Sequence, residues 1–230
     1  MKIMEKLSGD YADGAATLAF LGDSVTHGCF ESEKVMHTGF DFDAVYHNRL
    51  KRGLNMLFPN MPVNIINAGI GGDCAKNAVG RLERDVLSKN PDLTVVCFGL
   101  NDINGNIEDY IGGLDKIFTV LAERCGEIIF MTPNMLNTYV SENISSADLK
   151  MYAQKTAEFQ TGGKMDKFIS SATECAKSHN VYVADCYSKW KAMHKCGIDT
   201  TALLANYINH PLRKMHALFA SELLKIMIEK

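Results

Sequence analysis

The chain has 230 residues, 47% of them hydrophobic and 22% charged, and a net charge of -3. That length and apolar content suit one globular domain, 1–230, with a sizeable core. Near-neutral charge without a long basic run argues against nucleic acid or an anionic membrane surface as a partner.

The opening, MKIMEKLSGDYADGAAT, holds no apolar stretch of signal-peptide length, and no later run approaches a membrane span. A cytoplasmic location is therefore expected. The run Ala16–Leu21 reads as a buried strand that stops at Gly22-Asp23-Ser24. Gly22 allows the sharp exit, and Ser24 then sits at the carboxyl end of a strand. Open α/β sheets bind ligands along that edge, so Ser24 is a candidate nucleophile.

Asp43–Phe58 follows with Val45, Tyr46, Leu50, Leu54 and Leu57 on one helical stripe and Asp43 as its expected N-cap. Val63–Asn67 reads as a second strand, Asp73–Ser88 as a helix, and Leu93–Phe98 as a third strand. Ile107–Arg124 is the next helix and Glu127–Met131 the fourth strand. Asn134–Gly163 is long for a simple connection and leaves a strand at its carboxyl edge, as lids and binding loops do. An extra helix at about Ser146–Phe159 fits inside it. Lys164–His179 reads as a helix, Val181–Ala184 as the fifth strand, and Pro211–Glu229 as the last helix.

Strands alternating with helices predict an α/β fold, three-layer α/β/α, with a mainly parallel five-stranded sheet. The seven cysteines are odd in number and contain no CxxC pair, which fits neither a disulfide framework nor a zinc site. A homodimer is expected on general grounds alone, from no particular residue.

Four segments meet at the carboxyl ends of these strands. They are Ser24, the NAGIGGD run at 67–73, the FGLND run at 98–102, and Thr132-Pro133-Asn134. Gly71 and Gly72 let backbone N–H groups approach a ligand, and Asn101 adds a side-chain amide. Donors converging on one point make an oxyanion hole. His210, just before the last helix, can reach back to Ser24 as a base. His216 is its rival, on the predicted helix itself. His27 and His37 read as surface residues near the site, and Arg81 and Arg84 as partners of nearby acids.

These motifs resemble those of the SGNH hydrolases, the GDSL family of esterases and lipases. GDS at 22–24, GGD at 71–73, GLND at 99–102 and a late His-Pro at 210–211 stand in the family's order. The resemblance implies a flavodoxin-like SGNH fold and an acyl-enzyme on Ser24. It implies His210 as base, then acid. Ser24, Gly72 and Asn101 would form the oxyanion hole, and no metal or organic cofactor would be needed. Small carboxylic esters, such as O-acetyl groups on sugars, are the expected substrates.

One position departs from the pattern. The family usually has an Asp three residues before its His, where this chain has Tyr207. Asn206, a backbone carbonyl or the distant Asp199 are three candidates for orienting His210. Asn206 enters the expected catalytic set with Ser24 and His210. Without the carboxylate, a small-ligand or carbohydrate-binding module that keeps the pocket but lacks chemistry is the alternative reading. A flavin or nucleotide binder lacks support, since neither GxxxxGK[ST] nor a post-strand GxGxxG occurs.

Overall fold

Runs dense in Val, Ile, Leu and Phe become strands buried on both faces, as parallel sheets require. The strands in chain order are β1 (Ala16–Gly22), β2 (Cys29–Lys34), β3 (His37–Phe40), β4 (Val63–Gly69), β5 (Leu93–Cys97), β6 (Glu127–Met131) and β7 (Tyr182–Ala184). The five expected strands pair in parallel in the order β4-β1-β5-β6-β7. Every residue of β5 is buried at the sheet centre, whereas edge strand β4 is partly open. The coordinates are a computed structural model. It describes residues 1–230 apart from Asp10, Val35 and Met36, and leaves the side chains of Asp13, Lys34 and His37 undescribed.

The helices are α1 (Lys2–Ser8), α2 (Ser24–His27), α3 (Tyr46–Leu57), α4 (Ala75–Ala78), α5 (Leu82–Asp85), α6 (Ile107–Arg124), α7 (Ala147–Thr161), α8 (Lys164–Ser178), α9 (Cys186–Lys195) and α10 (His216–Glu229). Helix α10 packs on α3, α9 and α1, while α6 packs on α4 and α8. These two groups flank the sheet as the expected three-layer α/β/α architecture. Among the described residues, no helix is long and apolar enough to cross a membrane.

Four details differ from the sequence reading. The expected helix Asp73–Ser88 is broken into short α and 3-10 pieces, because Arg81 turns inward beside Gly80. Helix α3 starts after Val45, and Asp43 does not cap it. Helix α10 starts at His216, because Pro211 bridges Leu204 and closes the loop that carries His210. The antiparallel pair β2/β3 was not expected. Its sequence, CFESEK, is charged, and its pairing is interrupted by register shifts, so no clean period-2 signal exists.

The 134–163 segment builds a small second core. Ile144, Leu149 and Ala153 pack on Ile208, with Tyr152 and Tyr207 against them. Backbone bonds tie it to the His210 loop, Asn137 N–H donating to Ile208 O at 2.9 Å. Asn134 Nδ2 donates to Asn209 O, also at 2.9 Å.

Candidate active site

Sheet order reverses around β1, so the loops after β1 and β5 diverge and leave a crevice at their carboxyl ends. Gly22 is required at the end of β1. A Cβ there would stand 2.8 Å from Cys97 O and would also strike Thr26. Asp23 then caps the single turn α2, its Oδ1 accepting from Val25 N–H at 3.0 Å. The cap holds Ser24 at the head of the turn, 5% exposed. Burial raises the Asp23 carboxyl to about 7, and its Oδ2 has no partner among the described residues.

His210 Nε2 lies 2.9 Å from Ser24 Oγ, and His210 Nδ1 lies 2.9 Å from Phe30 O. A carbonyl oxygen can only accept, so Nδ1 carries the proton and Nε2 of the neutral ring accepts from the serine hydroxyl. Burial pushes the imidazole down to about 4, opposed by the Phe30 bond and by Glu31. The ring is therefore neutral and basic-side-up at neutral pH.

The expectation that Asn206 orients the imidazole is corrected. Asn206 Oδ1 accepts from the N–H groups of Ile208, Asn209 and His210 at 2.9–3.0 Å. Its Nδ2 donates to Asn209 Oδ1. Both ends of this amide are spent on shaping the turn, so Asn206 holds the His210 backbone, and the carbonyl of Phe30 holds the ring. Asp199 is exposed and accepts from Tyr139 OH at 2.7 Å. His216 is buried among Phe30, Tyr46 and Phe219 and accepts from Tyr46 N–H at 3.2 Å.

Gly72 adopts φ +79°, a left-handed conformation that favours glycine. Its N–H has no partner among the described residues and borders the cleft. Asn101 Nδ2 donates to Asp73 O at 2.9 Å, which aims the amide and leaves its second N–H for the cleft. Asp102 staples the GLND turn by accepting from Ala75 N–H and Gly99 N–H, each at 2.9 Å. Burial lifts its carboxyl to about 6.

Two further side chains brace the GGD turn. Arg81 is 8% exposed and donates to Asp73 Oδ2, Ala68 O and Gly22 O, so it binds the GGD turn to the ends of β1 and β4. The reading of Arg81 as a partner of nearby acids holds, through Asp73 and Asp85; its burial was not expected, and Gly80 beside it was the available signal of a break. His27, read as a surface residue, accepts from Gly71 N–H at 3.2 Å and braces the same turn. The His37 side chain lies outside the described residues.

Ser24, His210, Gly72 and Asn101 share a cleft of about 660 Å³. Leu149 and Tyr152 of α7 form one wall, and Phe40 and Ile70 stand on others. Among the described residues, Asp115, Cys175 and His179 bring ligand-type atoms together elsewhere, and none of them borders this cleft.

The sequence model of the GDSL-like lipase/acylhydrolase family matches residues 20–218. An acetylxylan esterase from Geobacillus stearothermophilus is 28% identical over 87 residues, spanning 37% of this chain and 39% of that relative's length. The crystal structure of an acetylxylan esterase from the same organism superposes with TM-score 0.68 at 20% identity, covering 92% of this chain and 94% of that one. A two-domain esterase active on acetylated mannans gives TM-score 0.70 at 21% identity, covering 99% of this chain and 52% of that one. Across that span the motifs and the fold agree, and the chain belongs to the GDSL-like lipase/acylhydrolase family.

Proposed function

We propose that the chain is a serine esterase that removes small acyl groups, acetyl foremost, from sugars. The 2.9 Å contact between Ser24 Oγ and a neutral His210 Nε2 carries this reading. Family membership supports an ester hydrolase. The named activities of the acetylxylan- and mannan-directed relatives support an acetylated carbohydrate as substrate.

Ser24 Oγ attacks the ester carbonyl as His210 Nε2 takes its proton. The imidazolium is held by the Nδ1–H bond to Phe30 O, which supplies a dipole where a carboxylate would supply a charge. The N–H groups of Ser24 and Gly72 and the Asn101 amide receive the developing oxyanion. His210 then protonates the leaving sugar oxygen, and the acyl group stays on Ser24. Water, deprotonated by the same ring, releases the acid. The seven free thiols support a reducing compartment such as the cytoplasm as its place of action.

Labelling with a fluorophosphonate, followed by peptide mapping, tests the reading. Covalent modification confined to Ser24 and abolished in His210→Ala is expected. A folded protein that binds acetylated oligosaccharide yet neither labels nor releases acetate would instead be the non-catalytic binding module.

A further inference from the structure

The carbonyl that holds His210 belongs to β2, a short strand in an irregular two-stranded pair. Such a ribbon is marginal on its own. A backbone oxygen there can orient an imidazole only if the ribbon is fixed relative to the His210 loop.

Arg213, three residues after His210, makes that connection. Its guanidinium lies 4.3 Å from the centre of the Phe30 ring. It forms a two-pronged pair with Glu31, the residue after Phe30, through both terminal nitrogens. Its Nε donates to Asp41 Oδ2 at 2.7 Å, just beyond the end of β3. The Arg213 carbonyl in turn accepts from Arg49 of α3 at 3.2 Å. One side chain thus grips both sides of the ribbon and stacks on the residue whose carbonyl meets the imidazole.

We propose that Arg213 is a positioning residue, clamping Phe30 through Glu31, Asp41 and the Phe30 ring so that a backbone carbonyl can do the orienting work of the absent acid. This rests on the esterase reading for its kinetic consequences but not for its geometry. Glu31 has a second part in it. It is the acidic side chain whose charge is felt at His210, and Arg213 neutralises it. Other charged or titratable groups around this loop are Arg49 and His47 of α3, Asp41, His216 at the head of α10, and His27 and Cys29, which share the cleft with His210.

Arg213→Met frees the Glu31 carboxylate beside the ring, which favours imidazolium, and loosens the Phe30 bond that also favours it, so the two effects on the acid limb of kcat/KM oppose each other. That variant is read by kcat and by the Nδ1–H bond itself. Glu31→Gln removes the carboxylate charge, and the limb should move to lower pH. Loss of the clamp should lower kcat by about 10–100-fold, the scale of a misplaced catalytic group, with KM within about twofold because Arg213 is not among the cleft-lining residues. Arg213→Lys keeps the charge without the fork and should recover part of kcat.

The experiment is steady-state kinetics of these three variants on an aryl acetate from pH 3 to 8, with thermal melting to confirm folding. It is paired with the ¹H–¹⁵N signal of the His210 Nδ1–H. That signal should persist in the parent chain and in Arg213→Lys, and should be lost to exchange in Arg213→Met. A folded Arg213→Met protein that keeps the Nδ1–H signal overturns the clamp, whether or not the chain hydrolyses esters. An acid limb that moves to higher pH in Glu31→Gln overturns the part given to Glu31. Absence of hydrolysis in the parent chain with the Nδ1–H signal still Arg213-dependent overturns the esterase reading alone and upholds the clamp.

Discussion

His210 Nδ1 meets the carbonyl oxygen of Phe30 at 2.9 Å, across 180 residues of chain. That bond occupies the ring nitrogen an acid would otherwise take. Tyr207, at the position where the family usually has that acid, faces a different task. It sits at φ +57° and packs with Ile208 against Leu149 and Ala153 of α7. The residue that departs from the motif therefore anchors the 134–163 segment.

Tyr207→Asp should not raise kcat, because Nδ1 is already bonded. It should cost about 1–3 kcal/mol by removing a half-buried ring from the small core. Urea unfolding beside kinetics checks both. A severalfold gain in kcat would show that the ring leaves Phe30 for the new carboxylate.

Asn206→Ala strands three N–H groups that share one acceptor. Its effect on kcat should be about 100-fold through displacement of the His210 backbone. Asn206→Asp keeps the acceptor oxygen and should retain most of the activity. Equal losses in the two variants would argue for a role at the ring.

Asn101→Ala should lower kcat by about 100–1000-fold, the usual cost of one oxyanion donor. KM should change little, since the donor serves charge that develops after binding. A rise in KM at constant kcat would place Asn101 in ground-state substrate binding.

Arg81→Met leaves buried Asp73 without its ion partner, 2.6 Å away. The loss should be about 3–5 kcal/mol, typical of breaking one side of a buried pair. Chemical denaturation measures it. A change below about 1 kcal/mol would mean that water replaces the guanidinium at the GGD turn.

His210 must be neutral to accept the serine proton, and its folded pKa is held down to about 4. Activity should stay level on acidification past the ordinary histidine range and fall as pH passes through about 4. An acid limb near 6.5 in the pH–rate profile would contradict the burial argument. Asp23 runs the other way, its carboxyl raised to about 7. The fold binds its proton more tightly than the unfolded chain does, so this group's contribution to stability is present below about 4 and is lost as pH rises to 7. Asp23→Asn should therefore gain stability relative to the parent chain between pH 4 and 8, as equilibrium unfolding at both ends of that range reports.

The elements legible in the sequence were those whose signal is local. Leu93–Cys97 is apolar at every position but one and could only be a buried strand. Ile107–Arg124 shows a helical stripe and forms over those very residues. The GDS, GGD, GLND and His-Pro blocks mark chain turns at strand ends, and once the parallel alternation is recognised, topology carries them to one sheet edge. The β2/β3 ribbon was not legible, because its pairing and its anchorage through Arg213 are both non-local.

By itself the amino-acid sequence determined the parallel α/β architecture, the position of Ser24 at a strand end and the family to which the chain belongs, because hydrophobic period and turn chemistry are written in neighbouring residues. Tertiary structure alone decided what holds His210. A backbone carbonyl is present in every residue and leaves no mark in the sequence. Only the folded ribbon shows that Phe30 supplies it, that Asn206 is consumed by its own turn, and that Tyr207 packs in the small core of the 134–163 segment.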